Sequence, residues 1–429
     1  MDKLKIAILG FGTIGNGVYT LLKENKDIVK KNCGREIVVS RVLVRPAEMD
    51  KCQKIDPDIF TTDIDDILND SDIEVVVELI GGEQPATDFI IKAMEKGKNV
   101  VTANKLAIAV NGGKMNEAAI KNGVHFYFEA SVGGGIPIIR QISDSMGANK
   151  TLSIMGILNG TSNYILTKMT EKGMAFDDAL KLAQQKGYAE ADPTSDVGGH
   201  DAVYKLAILS TLSFGKYTDY KDVYREGIEN VSYEDIKFAD SLGYVIKLLA
   251  IAKQDENGQT ELRVCPTMIP KTHPMANING SYNAVYITGN MVDDVMITGK
   301  GAGALPTASA VVSDIMNIAW KSPIRHPMGF SGGKIDVMDS LQSKRHYYIR
   351  LEVEDRAGVL AEISKIFGQN NVGILSLTQQ TEWEGPTSII FITHMTVAND
   401  FKNSCGEIEK LDCVKNISSI IAIEGIMNQ

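Results

Sequence analysis

The 429-residue chain has few of the features that mark several classes of protein. Its five cysteines (Cys33, Cys52, Cys265, Cys405 and Cys413) are an odd, scattered set without CxxC spacing. That excludes a disulfide scaffold, argues against a zinc site, and leaves reduced thiols with packing roles. No run reaches the ~18 consecutive apolar residues of a membrane span. Positive charge is in deficit, with 44 Lys plus Arg against 54 Asp plus Glu and a net charge of -10. A phosphate backbone would be repelled, so nucleic acid is not an expected partner. Lys3 and Lys5 precede the apolar stretch Ile6 to Ile14 as in a signal peptide, but glycines at 10, 12 and 15 interrupt it. A cytoplasmic protein with no membrane partner is expected.

What is present is an ordinary globular composition, 44% hydrophobic and 23% charged, at a length that predicts about three domains. Lys5 to Gly10 is an apolar run too short for a helix and reads as a strand buried on both faces. Gly10-Phe11-Gly12-Thr13-Ile14-Gly15 follows, and then Ile14, Val18, Leu21 and Leu22 fall on one helical face. Strand, glycine-rich turn and helix in that order point to a dinucleotide pyrophosphate held at a helix N-terminus; an ordinary βα turn is the bland alternative. Apolar runs at 37–44, 73–80, 99–102 and 125–128 alternate with helical patterns at 86–96 and 114–122, which predicts a parallel α/β sheet over about the first 130 residues. The second strand runs out into Arg45, where an arginine can meet the 2′-phosphate of NADP, so NADP is expected ahead of NAD.

From about 129 to 320 the pattern changes, with a strand at 151–156 and helices at 164–172, 176–186 and 201–212. Residues 321–344 are rich in Gly, Pro, Ser and charge and read as a linker. The last ~80 residues read strand-helix-strand-strand-helix-strand, the ferredoxin-like order. Two constellations carry chemistry. Gly187 to Thr194 leads into Asp196, Gly198, Gly199, His200, Asp201 and Lys205, with Asp201 and Lys205 four apart on one helical face. The acids there could hold a substrate ammonium, and the lysine could move a proton at a carbinol oxygen; a surface ion pair is the bland alternative. Thr102-Ala-Asn-Lys105 follows a sheet strand, where ligands of open α/β sheets bind, so Lys105 faces either ligand or solvent.

Together with Glu129-Ala-Ser-Val-Gly-Gly-Gly135 and Asn159-Gly-Thr-Ser-Asn-Tyr-Ile-Leu166, these motifs stand in the order found in homoserine dehydrogenases, and the chain resembles that family over residues 1 to about 320. The tail Leu351 to Leu360 resembles an ACT domain, and the absence of an aspartokinase-like segment suggests the monofunctional form. The resemblance implies a Rossmann-like domain at 1–130 completed by about 300–320, an α+β catalytic and dimerisation domain at 131–320, a linker at 321–345 and an ACT domain at 346–429. It implies NAD(P)-dependent interconversion of L-homoserine and L-aspartate 4-semialdehyde, in a homodimer or homotetramer. Lys205 would donate the proton, Lys105 would lie beside cofactor and substrate, and Gly187, Glu190 and Asp201 would hold the substrate. Thr102, Gly301 and Gly303 would join the cofactor site. Glu129, Val132, Gly134 and Ile136 match positions that bind a monovalent cation such as sodium, mostly through main-chain carbonyls. Asp355 and Gly358 would bind an amino-acid effector, threonine foremost, unless that domain serves only dimerisation.

Two rivals are weighed. A semialdehyde dehydrogenase that forms an acyl phosphate needs a nucleophilic cysteine, and there is none between residues 53 and 264. A catalytically idle amino-acid sensor would not require Lys105, Glu190, Asp201 and Lys205 together.

Overall fold

The structure is a computed structural model that describes residues 3–324, 329–380 and 387–426. The chain divides into two compact units, one of residues 1–158, 203–222 and 282–335 and the other of 159–202, 223–281 and 336–429. Among the described residues, no helix is long and apolar enough to cross a membrane.

The first unit is built on β1 (Lys3–Leu9), β2 (Glu36–Leu43), β3 (Phe60–Thr61), β4 (Ile73–Glu78), β5 (Asn99–Thr102) and β6 (Phe126–Tyr127). They form a six-stranded parallel sheet in the order β3-β2-β1-β4-β5-β6. The order reverses between β1 and β4, which puts the crevice for a dinucleotide at their carboxyl ends. Continuous apolar runs such as Ile6 to Leu9 and Val75 to Val77 are fully buried, as a sheet covered on both faces requires. The helix Ala304–Ala319 returns to this sheet, and its Ala308, Val311, Val312 and Ile315 share a core with Ile8 and Val18. Burial of each large side chain among these stabilises the unit by about 1.5–3 kcal/mol.

The helix expected at 114–122 runs from Lys105 to Asn122. Its early half is masked in the sequence by Gly112-Gly113, yet a Cβ at Gly112 would stand 2.3 Å from the Phe330 ring, so the residue is small to admit that ring. Phe330 lies in the strand Gly329–Lys334, which pairs with Lys216–Tyr217. The stretch expected as a bare linker therefore contains a packed strand; residues 325–328 of it fall outside the described residues. Three further strands of this unit, Thr151–Ile157, Tyr282–Gly289 and Asp293–Lys300, pair antiparallel.

In the second unit Tyr244–Gln254 and Thr260–Pro270 pair antiparallel along their full length. The C-terminal region has the expected ferredoxin-like order: Lys344–Val353, helix Val359–Gln369, Ile374–Gln380, Thr387–Thr393, helix Ala398–Ile408 and Val414–Ile423, with a short extra strand at Thr396–Val397. The helices and strands share a core of Ile349, Leu351, Phe367, Phe391, Phe401 and Ile408. Val414–Ile423 also pairs in parallel with Thr260–Pro270, with Thr267 opposite Ala422. At that seam Arg263, fully buried, bonds Glu424, while Glu261 bonds both Arg263 and Arg345.

Candidate functional site

The glycine-rich loop joins β1 to the helix Thr13–Glu24 at the sheet's switch point. A Cβ at Gly15 would lie 2.2 Å from the Gly10 carbonyl oxygen, so no larger residue permits this turn. At Gly12, the helix N-cap, a Cβ would meet nothing within 4 Å and no side chain caps the helix. Open space in front of uncapped N–H groups fits a dinucleotide pyrophosphate. Phe11 is a packing residue, edge-on to Phe60 and Tyr19. Beyond β2, Arg45 is exposed and pairs with Glu48 at 2.6 Å, while Arg41 is tied to the Ser40 and Asp58 carbonyls.

At the other side of the switch point, Glu78 ends β4 fully buried. It accepts from the Ile80 and Gly81 amides and from the Thr102 hydroxyl at 2.6 Å. Burial pushes its carboxyl above the usual range, against these hydrogen bonds. Thr102 in turn accepts from the Asn104 amide, and Asn104 caps the next helix through Ala107 N while donating to the Gly82 carbonyl. The Thr102-to-Lys105 segment is thus a rigid corner that sets Lys105, half-buried, at the first position of its helix. Lys105 is close enough to Tyr204 for its charge to act on that phenol, whose pKa is raised chiefly by burial.

Lys205 follows Tyr204 on the helix His200–Phe214 and is itself buried, its ammonium donating to the Leu158 carbonyl at 2.7 Å. Asp201 lies one turn earlier, buried, and accepts from Asn159 at 2.9 Å. Glu190 is exposed on the loop after the helix Phe176–Gln185, as is Gly187. Lys105 and Lys205 belong to the first unit, and Gly187, Glu190 and Asp201 to the second.

The segment that begins at Glu129 also has a definite build. Both carboxylate oxygens of Glu129 are engaged, by the Ile139 and Arg140 amides, and its own amide donates to Asp314. Burial and the Glu129 charge push Asp314 up to about 7, while Arg140 pulls the other way. A Cβ at Gly134 would press on the Gly301 carbonyl, and one at Gly301 on the Asn283 amide, which is buried with neither polar atom hydrogen-bonded. Unsatisfied polar atoms beside a carbonyl-rich loop fit a small cation or water.

In the C-terminal region Gly358 caps the helix Val359–Gln369 at φ +98, a conformation that side chains disfavour. Asp355 is exposed in the preceding turn. Arg356 bridges Glu354 and Glu362 at 3.1 Å each, a cation that sequence reasoning passed over. Glu78 and Asn159 were also missed; only the position of Glu78 at the end of a buried strand hinted at its role.

Comparison with known proteins agrees with this geometry. The homoserine dehydrogenase NAD-binding domain matches residues 10–129, the homoserine dehydrogenase domain residues 137–316 and the ACT domain residues 347–412. A homoserine dehydrogenase of Synechocystis is 42% identical over 433 residues, covering 98% of this chain and 99% of that one. The solved homoserine dehydrogenase of Thiobacillus denitrificans is 40% identical with a TM-score of 0.93 and covers 99% of both chains. A hyperthermophilic archaeal homoserine dehydrogenase solved with NADPH is 26% identical with a TM-score of 0.64, covering 75% of this chain and 99% of that one. With a nicotinamide-dinucleotide domain, a dehydrogenase domain and a C-terminal ACT domain, this chain belongs to the homoserine dehydrogenase family of NAD(P)-dependent oxidoreductases acting on CH–OH groups.

Proposed function

We propose that the chain interconverts L-aspartate 4-semialdehyde and L-homoserine in the cytoplasm, with NADPH preferred over NADH. When bound, the nicotinamide supplies hydride to the aldehyde carbon or takes it back from the carbinol. Lys205 gives the aldehyde oxygen its proton as the negative charge develops there. Lys105 lies beside cofactor and substrate and stabilises the same charge. Asp201 and Glu190 take the substrate ammonium, with the Gly187 backbone beside them. Arg45 leaves Glu48 to meet the 2′-phosphate, while Gly10 to Gly15, Thr102, Gly301 and Gly303 shape the rest of the cofactor site. A monovalent cation such as sodium, on the carbonyls of Glu129, Val132, Gly134 and Ile136, orders that loop without entering the chemistry. The observation that carries this reading is the burial of Lys205 and Asp201 one turn apart on one helix, each held by a hydrogen bond to a fixed partner.

The test follows nicotinamide absorbance with aspartate semialdehyde and either NADPH or NADH. NADPH should give the higher kcat/KM. Lys205→Met should lower turnover roughly 10²–10⁴-fold, the range for a lost acid–base group, with cofactor affinity unchanged. Near-normal turnover in that variant, or no oxidation of either cofactor by the wild type, would refute the assignment.

A further inference from the structure

We infer that Asn159 is the positioning residue of the substrate-binding loop, its single carboxamide holding the carboxylates of Asp196 and Asp201 while it caps the helix that follows. The inference rests on the reading of Asp201 as a substrate-holding acid.

Asn159 has extended backbone (φ -125, ψ 118) and opens the helix Gly160–Lys172. Its Oδ1 accepts from the Ser162 amide at 2.8 Å. Its Nδ2 donates to Asp196 Oδ1 at 2.8 Å and to Asp201 Oδ2 at 2.9 Å. A carboxamide has two N–H donors, and both are used. Capping alone requires only the acceptor, and serine or aspartate serves an N-cap as well as asparagine. The two donors therefore carry a task that the cap does not explain. Two carboxylates brought to one buried nitrogen repel each other, and a donor shared between them offsets that repulsion. The amide fixes their spacing and orientation.

The same helical turn fastens the loop at two more points. Thr161 Oγ1 donates to the Tyr188 carbonyl at 2.6 Å, and Ser162 Oγ to the Asp196 carbonyl at 2.8 Å. The loop that carries Glu190 and leads to Asp201 is thus moulded on residues 159–162. Further along, Asn163 donates to the Ile278 and Gly280 carbonyls, at 3.0 Å each, and Thr167 accepts from the Gly280 amide, so the template is itself anchored.

The experiment uses the full chain. Asn159→Ser keeps an oxygen for the cap and loses the paired donors, whereas Asn159→Asp keeps shape and cap and replaces the donors by charge. Both should raise the homoserine KM roughly ten- to a hundredfold, as expected for a lost hydrogen bond to a charged group. The expected fall in kcat is smaller, with the NADPH Kd from nicotinamide fluorescence and the thermal midpoint close to wild type. In an Asp201→Asn background, Asn159→Ser should add little. A residue that only caps its helix would leave KM alone in both variants, since serine and aspartate keep the cap. If Asp201→Asn leaves KM unaltered, the substrate reading itself fails. If Asp201→Asn raises KM while both Asn159 variants stay within twofold of wild type, or the double variant is additive, the inference about Asn159 is overturned.

Discussion

Lys247 places a cation in the middle of the buried strand Tyr244–Gln254. Its ammonium meets three oxygens, the Ile278 carbonyl at 2.7 Å, Asn279 Oδ1 at 3.0 Å and Asn163 Oδ1 at 3.3 Å. Burial lowers its pKa from 10.5 to about 8, with Glu171 acting weakly the other way. At neutral pH it is therefore charged and matches its three acceptors. Between pH 8 and 10.5 the unfolded chain binds the proton and the folded one does not, so this residue makes folding more favourable as pH rises across that window, by at most about 3 kcal/mol. Denaturant midpoints at pH 7.5 and pH 10 should show the wild type gaining on Lys247→Met as pH rises. A constant difference between the two would show that the pKa is not depressed. The same residue obscures the strand in the sequence, because a lysine between Val245-Ile246 and Leu248 to Ala252 suggests a solvent-facing position.

The helix Tyr233–Ser241 illustrates how an element is fixed to its neighbours. Ser232 and Asp235 form a reciprocal capping box, and the buried Asp235 also accepts from Arg350 at 2.8 Å and Tyr348 at 3.1 Å. Asp235→Ala would remove a cap and strand a buried guanidinium, which should cost about 3–5 kcal/mol in urea unfolding. Asp235→Asn, which can still cap, should cost less, and equal losses would mean that the charge is immaterial. Elements were legible where one physical signal dominated. β1, its glycine loop and the following helix show a switch from a short buried run to a 3.6-residue stripe. Asp201 and Lys205 were found because a four-residue spacing is a helical contact. Tyr244–Gln254 and Thr260–Pro270 were not found, since buried faces on both sides erase the alternation of a strand and Pro266 sits inside the second. Asn159 opens the Asn159–Leu166 motif, but its role depends on acids 37 and 42 residues away, which spacing does not reveal.

At the scale of the molecule, the ACT domain raises the question of regulation. Removing it after residue 345 would not isolate the catalytic part cleanly, because Val414–Ile423 covers an edge of Thr260–Pro270 and Glu424 pairs with buried Arg263. Gly358→Asp is equally unsuited, since φ +98 strains any side chain. The better variant is Asp355→Ala in the full chain, in a turn that tolerates exposure. If threonine is the effector, 1–3 kcal/mol of coupling predicts 5–150-fold inhibition in the wild type. Asp355→Ala should lose that inhibition and keep its turnover without threonine. Wild-type inhibition in the variant would place sensing elsewhere. The seam at Arg263 also bears on synthesis. Its partner Glu424 lies 161 residues further along, and at about 5–20 residues per second a ribosome takes roughly ten to thirty seconds to cover that distance. Throughout that interval a nascent chain carries an open strand edge and an Arg263 guanidinium that lacks one of its two carboxylate partners, Glu261 being already made. The catalytic half therefore depends on the far end of the chain for its completion, and the ACT domain is in this sense the closing piece of the enzyme's folding as well as its candidate sensor.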